Sequence, residues 1–444
     1  MARFTPHTDS EVKQMLKTIG IGSVDELFAD IPEDLRPQSF DLPAGKTENE
    51  SVKIFTDLAR RNRIDYVSFL GGGYYDHFIP AAVNTISSRS EFYTAYTPYQ
   101  PEASQGTLRA VFEYQTMIAG ITGLDFANAS LYDGGTALYE AIALAVRSTN
   151  RTKILVDKCI NPVYLRIIKT YVINLDIEII EVNPADIYAD KDTIASLLDD
   201  RTAAVVVQNP NFFGIVEDFE DLFTFAETKG AVSILVFYPI SLGILKTPGE
   251  MKADIAVGEG QSLGLPLSFG GPYLGLMSVD KKFVRKMPGR IVGETTDRNG
   301  RKAYVLTLQA REQHIRREKA TSNICTNQAL CALRAVVYLS LLGKEGFKKT
   351  ALLNLERAEY LKEGLKKIKS MDVKDGQTFN EFTVALPIKA SDFIRRILDR
   401  GYVAGLPASI FFKEMTNYLI ISATEKRTES EIDAFVDAAR EVLS

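Results

Sequence analysis

The residues best suited to chemistry concentrate in four polar or glycine-rich stretches. The first, NASLYDGGTALYEAIALAV, places Asp133, Gly134, Gly135 and Thr136 between a short apolar run and an apolar helix pattern. Glycines let the backbone approach an anion, and a helix N-terminus offers free N–H groups and the positive end of the helix dipole. The stretch fits a phosphate or carboxylate site, and it fits equally well an ordinary strand-to-helix turn capped by threonine.

The second stretch, TAYTPYQPEASQG, lies directly before a long helix pattern and holds two prolines. Proline fixes an extended backbone, and loops rich in hydrogen-bonding groups are where sites form. We predict that this loop lines a site or an interface. Its aromatic and polar residues are Tyr96, Tyr99, Gln100, Glu102, Ser104 and Gln105.

The third stretch, RREKATSNICTNQAL, sets three cations ahead of three small polar residues. Such cations hold carboxylates or phosphates, and arginine does so in a bidentate manner. The charge pattern alone fits an anion site or a solvated run before the next helix. The residues are Arg316, Arg317, Lys319, Thr321, Ser322 and Asn323.

The fourth stretch, VVVQNPNFFG, ends an apolar run in Gln208, Asn209 and Asn211. Polar residues at the carboxyl ends of parallel strands point into the ligand crevice of an open α/β sheet. His77, which follows GGGYYD, lines a site or is a hydrogen-bonded loop histidine.

Other kinds of site lack their parts. The chain of 444 residues has three histidines and three cysteines, too few for the usual zinc clusters, and no metal is predicted. Neither a G-x-G-x-x-G fingerprint nor a P-loop occurs. The net charge of −5 gives no reason to expect nucleic acid or an anionic membrane as partner. No run of about 18 apolar residues occurs, and unpaired cysteines favour a reducing cytoplasm.

Hydrophobic periodicity predicts the elements that position these stretches. Capping-box patterns at Thr8 with Glu11 and at Ser23 with Glu26 predict two short amphipathic helices, and ESVKIFTDLARRN continues in the same style. We predict an N-terminal helical arm over residues 1–63, laid over another surface such as a partner subunit.

The central and C-terminal parts differ in their predicted pattern of helices and strands. Apolar runs near residues 153, 178, 203 and 232, separated by helical stretches, predict buried parallel strands in one large α/β domain over residues 64–325. A long helix that ends at Gly343 follows. The strands EFTVALPI and NYLIISAT and a helix capped at Thr428 then predict a smaller α+β domain, so that residues 326–444 form a helix plus this domain.

Six strings together resemble the glycine cleavage system P-protein family, glycine dehydrogenase (decarboxylating). They are FLGGGYYDHFIP, EFYTAYTPYQPEASQG, FEYQTMIAGITGLDFANASLYDGGTA, VVVQNPNFFG, GQSLGLPLSFGGP and REKATSNICTNQAL. The resemblance spans nearly the whole chain. It is closest to subunit 1, the α chain of the split two-subunit form.

The resemblance implies a fold and an activity. The fold would be that of pyridoxal-phosphate enzymes of fold type I, the aspartate-aminotransferase type. The enzyme would bind glycine through pyridoxal phosphate, release CO₂ and pass the aminomethyl group to the lipoyl arm of H-protein, with the pyridine ring as electron sink. The implied partner is subunit 2, the β chain, in a cytoplasmic α2β2 complex.

The same resemblance implies that this chain has lost the cofactor lysine. In the catalytic half of the family a lysine stands five residues before the proline that matches Pro266, which puts Gln261 at its position. A carboxamide cannot form a Schiff base. The aspartate that pairs with the pyridinium nitrogen falls at Tyr238. We therefore predict no catalytic residue in this chain alone, cofactor on the β chain, and a vestigial cofactor site of Gly134, Gly135, Thr136, Asn209, Tyr238 and Gln261.

Fold type I enzymes build each active site at a subunit interface, so the resemblance implies that loops of this chain complete the partner's pocket. The tyrosines would lie near the cofactor ring, Glu102 or Gln105 would line the glycine pocket, and Arg317 or Lys319 would bind an anion. The implied pocket-lining set is Tyr96, Tyr99, Gln100, Glu102, Ser104, Gln105, Arg317, Lys319, Ser322 and Asn323.

Two alternatives remain open at this point. A self-sufficient pyridoxal-phosphate enzyme would need another lysine, such as Lys246 or Lys252, at the crevice. A scaffold or regulatory subunit would contribute nothing through its loops.

Overall fold

The computed structural model describes residues 6–37, 39, 41–320 and 322–444, and the chain divides into two units, residues 1–64 and 65–444. The helices are α1 (Asp9–Ile19), α2 (Glu48–Ala59), α3 (Ala81–Ser87), α4 (Ser90–Tyr93), α5 (Gln105–Thr122), α6 (Gly134–Thr149), α7 (Pro162–Val172), α8 (Lys191–Leu197), α9 (Glu220–Thr228), α10 (Gln313–Arg316), α11 (Ala329–Lys366), α12 (Ala390–Leu398) and α13 (Glu429–Leu443).

The strands belong to one large sheet, one small sheet and two short pairs. They are β1 (Val67–Ser68), β2 (Phe126–Ala127), β3 (Lys153–Asp157), β4 (Glu178–Val182), β5 (Thr202–Asn209), β6 (Val232–Phe237), β7 (Ile255–Glu259), β8 (Gly275–Val279), β9 (Ile291–Thr296), β10 (Lys302–Thr307), β11 (Asp372–Val373), β12 (Glu381–Ala385), β13 (Tyr402–Val403), β14 (Leu406–Pro407) and β15 (Tyr418–Ser422).

The first unit carries α1 and α2, each opened by a capping box. The box of Thr8 with Glu11 is confirmed. The prediction at Ser23 is wrong in detail: Ser23 does bond Glu26, but the segment Asp25–Phe28 is a single 3₁₀ turn without a side-chain cap. Neither α1 nor α2 buries a residue, because their apolar side chains lie on exposed faces.

The large sheet has the order β2-β8-β7-β6-β5-β3-β4. The strands β4, β3, β5, β6 and β7 run parallel, and β8 and β2 close one edge in antiparallel fashion. Every residue of β3, β6 and β7 is buried, since α6 and α7 cover one face and α8, α9 and α5 cover the other. The predicted α/β/α layering is confirmed.

The C-terminal part forms a smaller four-stranded antiparallel sheet of order β11-β12-β15-β14, packed against α12 and α13. The helix α13 is capped by Thr428 with Glu431, as the sequence predicts. The predicted helix end at Gly343 is confirmed: Gly343 has a non-helical φ of 59° and ψ of −175°, which glycine adopts without strain, and it separates the two helical segments that together span α11. The predicted domain boundary at residues 325/326 stays a prediction.

Candidate functional site

A crevice lies at the carboxyl ends of the parallel strands, where ligands bind in open α/β folds. It is bounded by residues that follow or end β5, β6 and β7, by the glycine-rich segment before α3, and by the first residue of β12. The lining residues are Gly73, Tyr75, Asn161, Tyr164, Gln208, Pro210, Gly214, Val236, Phe237, Tyr238, Glu259, Asn380 and Glu381.

The N-terminus of α6 lies beside this crevice, next to the lining residues Tyr164 and Glu259. Asp133 is the N-cap, and it forms a reciprocal capping box with Thr136. A residue with a side chain does not fit at position 134, because a Cβ added to Gly134 would lie 2.4 Å from the hydroxyl of Tyr164. The helix therefore presents a bare backbone N–H at the crevice.

The carboxyl group of Glu259, in the same chain, accepts a hydrogen bond from that N–H. Its Oε2 accepts from the N–H of Gly134 at 3.0 Å, and its Oε1 accepts from the N–H groups of Gln261 and Leu274, each at 3.0 Å. Glu259 is buried, and burial raises its pKa to about 8 against the lowering effect of the three donors. No property of the sequence pattern pointed to this residue.

Gln261, at the position where the family resemblance places the lysine, has a structural role here. Its side chain is 1% exposed, and its Oε1 accepts from the N–H of Tyr75 at 3.0 Å. Its Nε2 donates to the carbonyl oxygens of Tyr75, at 3.1 Å, and Leu265, at 2.8 Å. The amide thus ties the segment before α3 to the loop after β7.

Tyr238, where the resemblance places the aspartate, follows β6 and joins a buried polar chain. Its hydroxyl bonds Nε2 of His77, whose Nδ1 bonds Glu425 at 2.8 Å. Glu425 also accepts from Asn354 at 2.8 Å, and the bond to His77 lowers its pKa against the effect of burial. The Tyr238 ring packs against Tyr75 at a tilt of 53°, with 4.7 Å between centroids. His77 is therefore a buried, hydrogen-bonded histidine.

Glu381 closes the crevice from the small sheet. Its Oε1 accepts from the N–H of Gly72 at 2.6 Å and its Oε2 from the hydroxyl of Tyr75 at 2.8 Å. Burial raises the pKa of Glu381 to about 7. When the folded state keeps a carboxyl group protonated, the stability of the fold falls as pH rises, because the unfolded state releases that proton at a lower pH.

We expect the substitution Glu381→Gln to remove part of this pH dependence. The contribution of Glu381 is fully present below its ordinary pKa of 4.5 and is lost as pH rises through about 7. Between pH 5 and pH 8 the wild-type chain should therefore lose roughly 2 to 3 kcal/mol more stability than the variant. Urea unfolding at both pH values measures the difference, with the exposed Glu356→Gln as control. Equal losses in wild type and Glu381→Gln would contradict the assignment.

The crevice does not fit pyridoxal phosphate. The side chains described above leave a cavity of only about 30 Å³, room for one or two waters, whereas ligand pockets measure about 300–1,000 Å³. Among its lining residues in the described chain there is no lysine. The predicted vestigial residues Gly134, Tyr238 and Gln261 meet around the crevice, while Asn209 is used locally, its Oδ1 accepting from the N–H of Glu217 at 3.0 Å.

Neither alternative lysine offers a free amine at the crevice. Nζ of Lys246 bonds Asp218 at 2.8 Å and Glu220 at 2.6 Å, and these bonds raise its pKa. Lys252 pairs with Glu220 at 3.0 Å. A Schiff-base lysine needs a lowered pKa, and the pKa of Lys246 is shifted the opposite way.

A wider cleft of about 670 Å³ opens beside Gly71 and Asp133. Tyr74 and Tyr273 stack across it with 4.7 Å between centroids. Within the described chain, no lysine lines this cleft either. It therefore offers room beside the α6 N-terminus without a group that could hold a cofactor covalently.

The loop of residues 94–106 is largely on the surface. The side chains of Tyr96 and Tyr99 are 73% and 46% exposed, and Gln100 and Glu102 are also exposed. Gln105 is used inside the chain, because its amide bonds the N–H and carbonyl of Tyr304, each at 2.9 Å. Ser104 is half-buried at the start of α5.

The cationic stretch is also on the surface in part. Arg317, Lys319 and Asn323 are exposed, and Arg317 has a φ of 53°. Ser322 turns inward and donates to Glu140 at 2.8 Å. Thr321 lies outside the described residues.

Arg290, which the sequence patterns missed, joins the loop of residues 94–106 to the segment that precedes the cationic stretch. Its guanidinium lies 5.3 Å from the ring centroid of Tyr99 and donates to the Tyr99 hydroxyl at 3.1 Å. Its Nε lies 3.6 Å from Glu312, which also lies 3.6 Å from Nδ1 of His314. Arg290 is 4% exposed, and its Nε and Nη1 have no hydrogen-bond partner among the described residues. One buried cation thus holds the loop of residues 94–106 next to Glu312.

In the described part of the chain, no helix is long and apolar enough to cross a membrane. In the same residues, no group of three or more His, Cys, Asp or Glu side chains is arranged to hold a metal ion.

Comparison of the whole structure with solved proteins identifies its class. Glutamate decarboxylase from Lactobacillus brevis matches with a TM-score of 0.68 over 92% of this chain and 95% of that chain, at 14% identity, a likeness of fold alone. The class is the pyridoxal-phosphate enzymes of fold type I. A glycine decarboxylase (P-protein) of the glycine cleavage system, solved in inhibitor-bound form, matches with a TM-score of 0.91 and 41% identity over 100% of both chains.

The family follows from the sequence comparisons. The family model of the glycine cleavage system P-protein matches residues 2–438. A protein named probable glycine dehydrogenase (decarboxylating) subunit 1 from Maridesulfovibrio salexigens is 51% identical over 438 residues, 98% of this chain and 99% of that protein. Its namesake in Citrifermentans bemidjiense is 52% identical over 441 residues, 99% of each. The chain belongs to the glycine cleavage system P-protein family, which confirms the resemblance.

Proposed function

We propose that this chain is the non-catalytic subunit of a two-chain glycine decarboxylase and that it completes the active site of its partner. The complex binds glycine through pyridoxal phosphate held by subunit 2, releases CO₂ and transfers the aminomethyl group to the lipoyl arm of H-protein. The observation that carries this proposal is the closed crevice, in which Gln261, Glu259 and Tyr238 are bonded to the chain itself. The names of the relatives, subunit 1, support a second subunit.

The two predicted loops supply the exposed aromatic and charged groups that the closed crevice lacks. Tyr96 and Tyr99 present exposed rings, and Glu102, Arg317 and Lys319 present exposed charges. Exposed polar and aromatic groups on loops held by a rigid scaffold are the usual material of binding sites. In the proposed complex these loops orient glycine in the partner's pocket and exclude water from it. Gln105 then acts by fixing the loop to β10.

The first unit supports the same assembly. Helix α2 exposes Val52, Phe55 and Leu58 at 58%, 70% and 46%, and α1 exposes Met15 and Ile19 at 41% and 58%. Amphipathic helices with an exposed apolar stripe are stabilised by packing that stripe on another surface. We propose that the partner subunit provides that surface, in an α2β2 complex.

Borohydride labelling tests where the cofactor is held. The chain alone and the co-purified complex are each treated with pyridoxal phosphate and reduced, and pyridoxyl-lysine is mapped by mass spectrometry. We expect no single lysine of this chain to be labelled, and one lysine of the partner to be labelled stoichiometrically. Stoichiometric label on Lys246 or Lys252 would instead make the chain an enzyme in its own right.

A further inference from the structure

Three backbone N–H groups at and beside the start of α6 donate to a single side chain of the same chain. Helix N-termini bind anions through free N–H groups and the helix dipole. Here the donors are the N–H of Gly134, in the first turn of α6, and those of Gln261 and Leu274 beside it. All three converge on one carboxyl group, that of Glu259, which is 6% exposed. Three N–H donors directed at one point are what a bound anion needs, and here a side-chain carboxyl group occupies that point.

The position of Glu259 explains why a side chain can reach the donors. It ends β7, next to the loop after that strand, so its carboxyl group reaches both α6 and the segment that carries Leu274. Gly134 permits the approach, because an added Cβ would lie 3.1 Å from the Cβ of Glu259 and 2.4 Å from the hydroxyl of Tyr164. The donors and the acceptor are thus fitted to each other.

We propose that Glu259 is a built-in substitute for the cofactor phosphate: its carboxyl group satisfies the anion site of the crevice, and removing it creates a site for inorganic phosphate. Because a side chain stands in for the phosphate, a chain of this fold can close its crevice without cofactor. Without the carboxyl group, three buried N–H groups would lack acceptors, and each unpaired buried donor is costly. A phosphate ion bound where the carboxyl group was would offer oxygens that accept hydrogen bonds from these three N–H groups. The inference concerns this chain alone and needs neither the partner nor glycine.

Thermal unfolding of the full-length chain in phosphate and in chloride at equal ionic strength tests the proposal. We expect Glu259→Ala to unfold at a lower temperature than wild type in chloride and to regain at least a few degrees in phosphate, since a ligand of the native state raises Tm. The wild-type chain should show no phosphate-specific shift. Glu381→Ala, which removes another buried carboxyl group of the same crevice, is the matched control and should also show none.

A second variant covers the case in which Glu259→Ala folds poorly. Glu259→Asp keeps a carboxyl group near the donors and shortens the side chain by one methylene, so it should fold, lose some stability and remain insensitive to phosphate. Phosphate that neither rescues nor stabilises Glu259→Ala would overturn the proposal. An equal phosphate response in wild type, Glu259→Asp or Glu381→Ala would overturn it as well, because the response would then not depend on vacating this site.

Discussion

Replacing Gln261 by lysine is expected to destabilise the chain without giving it a cofactor. The amide of Gln261 is buried and makes three hydrogen bonds, including both directions of exchange with the backbone of Tyr75. Lysine has no acceptor for the Tyr75 N–H, and its ammonium group would be desolvated. We expect a loss of about 3 kcal/mol in the free energy of unfolding.

The substitution does not restore a cofactor site, because the lysine is only one of several missing parts. The cavity of about 30 Å³ has no room for the pyridine ring. Glu259 holds the N–H of Gly134, and Tyr238 bonds His77 where the family resemblance places the ring's aspartate partner.

Urea unfolding and borohydride labelling measure the two expectations separately. Gln14→Lys makes the same chemical change at an exposed position of α1 and should leave stability within about 0.5 kcal/mol of wild type. A Gln261→Lys chain that is as stable as wild type and carries pyridoxal phosphate on residue 261 would show that the crevice is still prepared for cofactor.

The fold was largely predictable because its strongest signals are local. The strands β3, β5 and β6 are buried on both faces, and such strands appear in the sequence as continuous apolar runs. The strand β8 and the hairpin β9–β10 were missed, because their sequences are short or mixed and depend on neighbours for their pairing. The helix end at Gly343 was predictable because glycine interrupts a helix, whereas the second helical segment that starts directly after it and runs to Lys366 was not predicted.

The site was predictable only in part, because its contacts are long-range. The glycines at the start of α6 mark a close backbone approach, but the group that bonds the N–H of Gly134, Glu259, lies 125 residues away. Glu381 meets Gly72 across 309 residues, and Arg290 meets Tyr99 across 191. No periodicity relates residues so far apart, so a single acidic or basic residue carries no local signal of its partner.

Arg290 gives the second large prediction, which concerns the complex. It is a positioning residue: its guanidinium packs on the ring of Tyr99, donates to the Tyr99 hydroxyl and lies beside the buried carboxylate of Glu312. Removing its charge in Arg290→Gln frees the loop of residues 94–106 and takes the neighbouring arginine away from the buried Glu312. Small displacements of groups that orient a substrate cost on the order of 100-fold in rate. We expect a loss of that order in the exchange of bicarbonate with the glycine carboxyl group, measured per assembled complex.

Stability and positioning can be separated by a double substitution. Arg290→Gln alone should destabilise the chain by about 3 kcal/mol, because it leaves a buried charge without its partner. Arg290→Gln combined with Glu312→Gln removes both charges and should recover much of this stability, yet not the exchange rate, since Tyr99 stays unsupported. The conservative Arg290→Lys should retain more activity than either, because it keeps the charge over the ring and beside Glu312.

The control is Arg285→Gln, which removes an exposed arginine from the same segment and should change neither quantity. If Arg290→Gln left the exchange rate per assembled complex unchanged, the loop that carries Tyr99 would not act in the partner's pocket, and the chain would be a scaffold. If the double variant instead recovered both stability and exchange, the effect of Arg290 would be on folding alone. Loss of exchange in an assembled, stable double variant is the one result that a purely structural role for these loops does not produce.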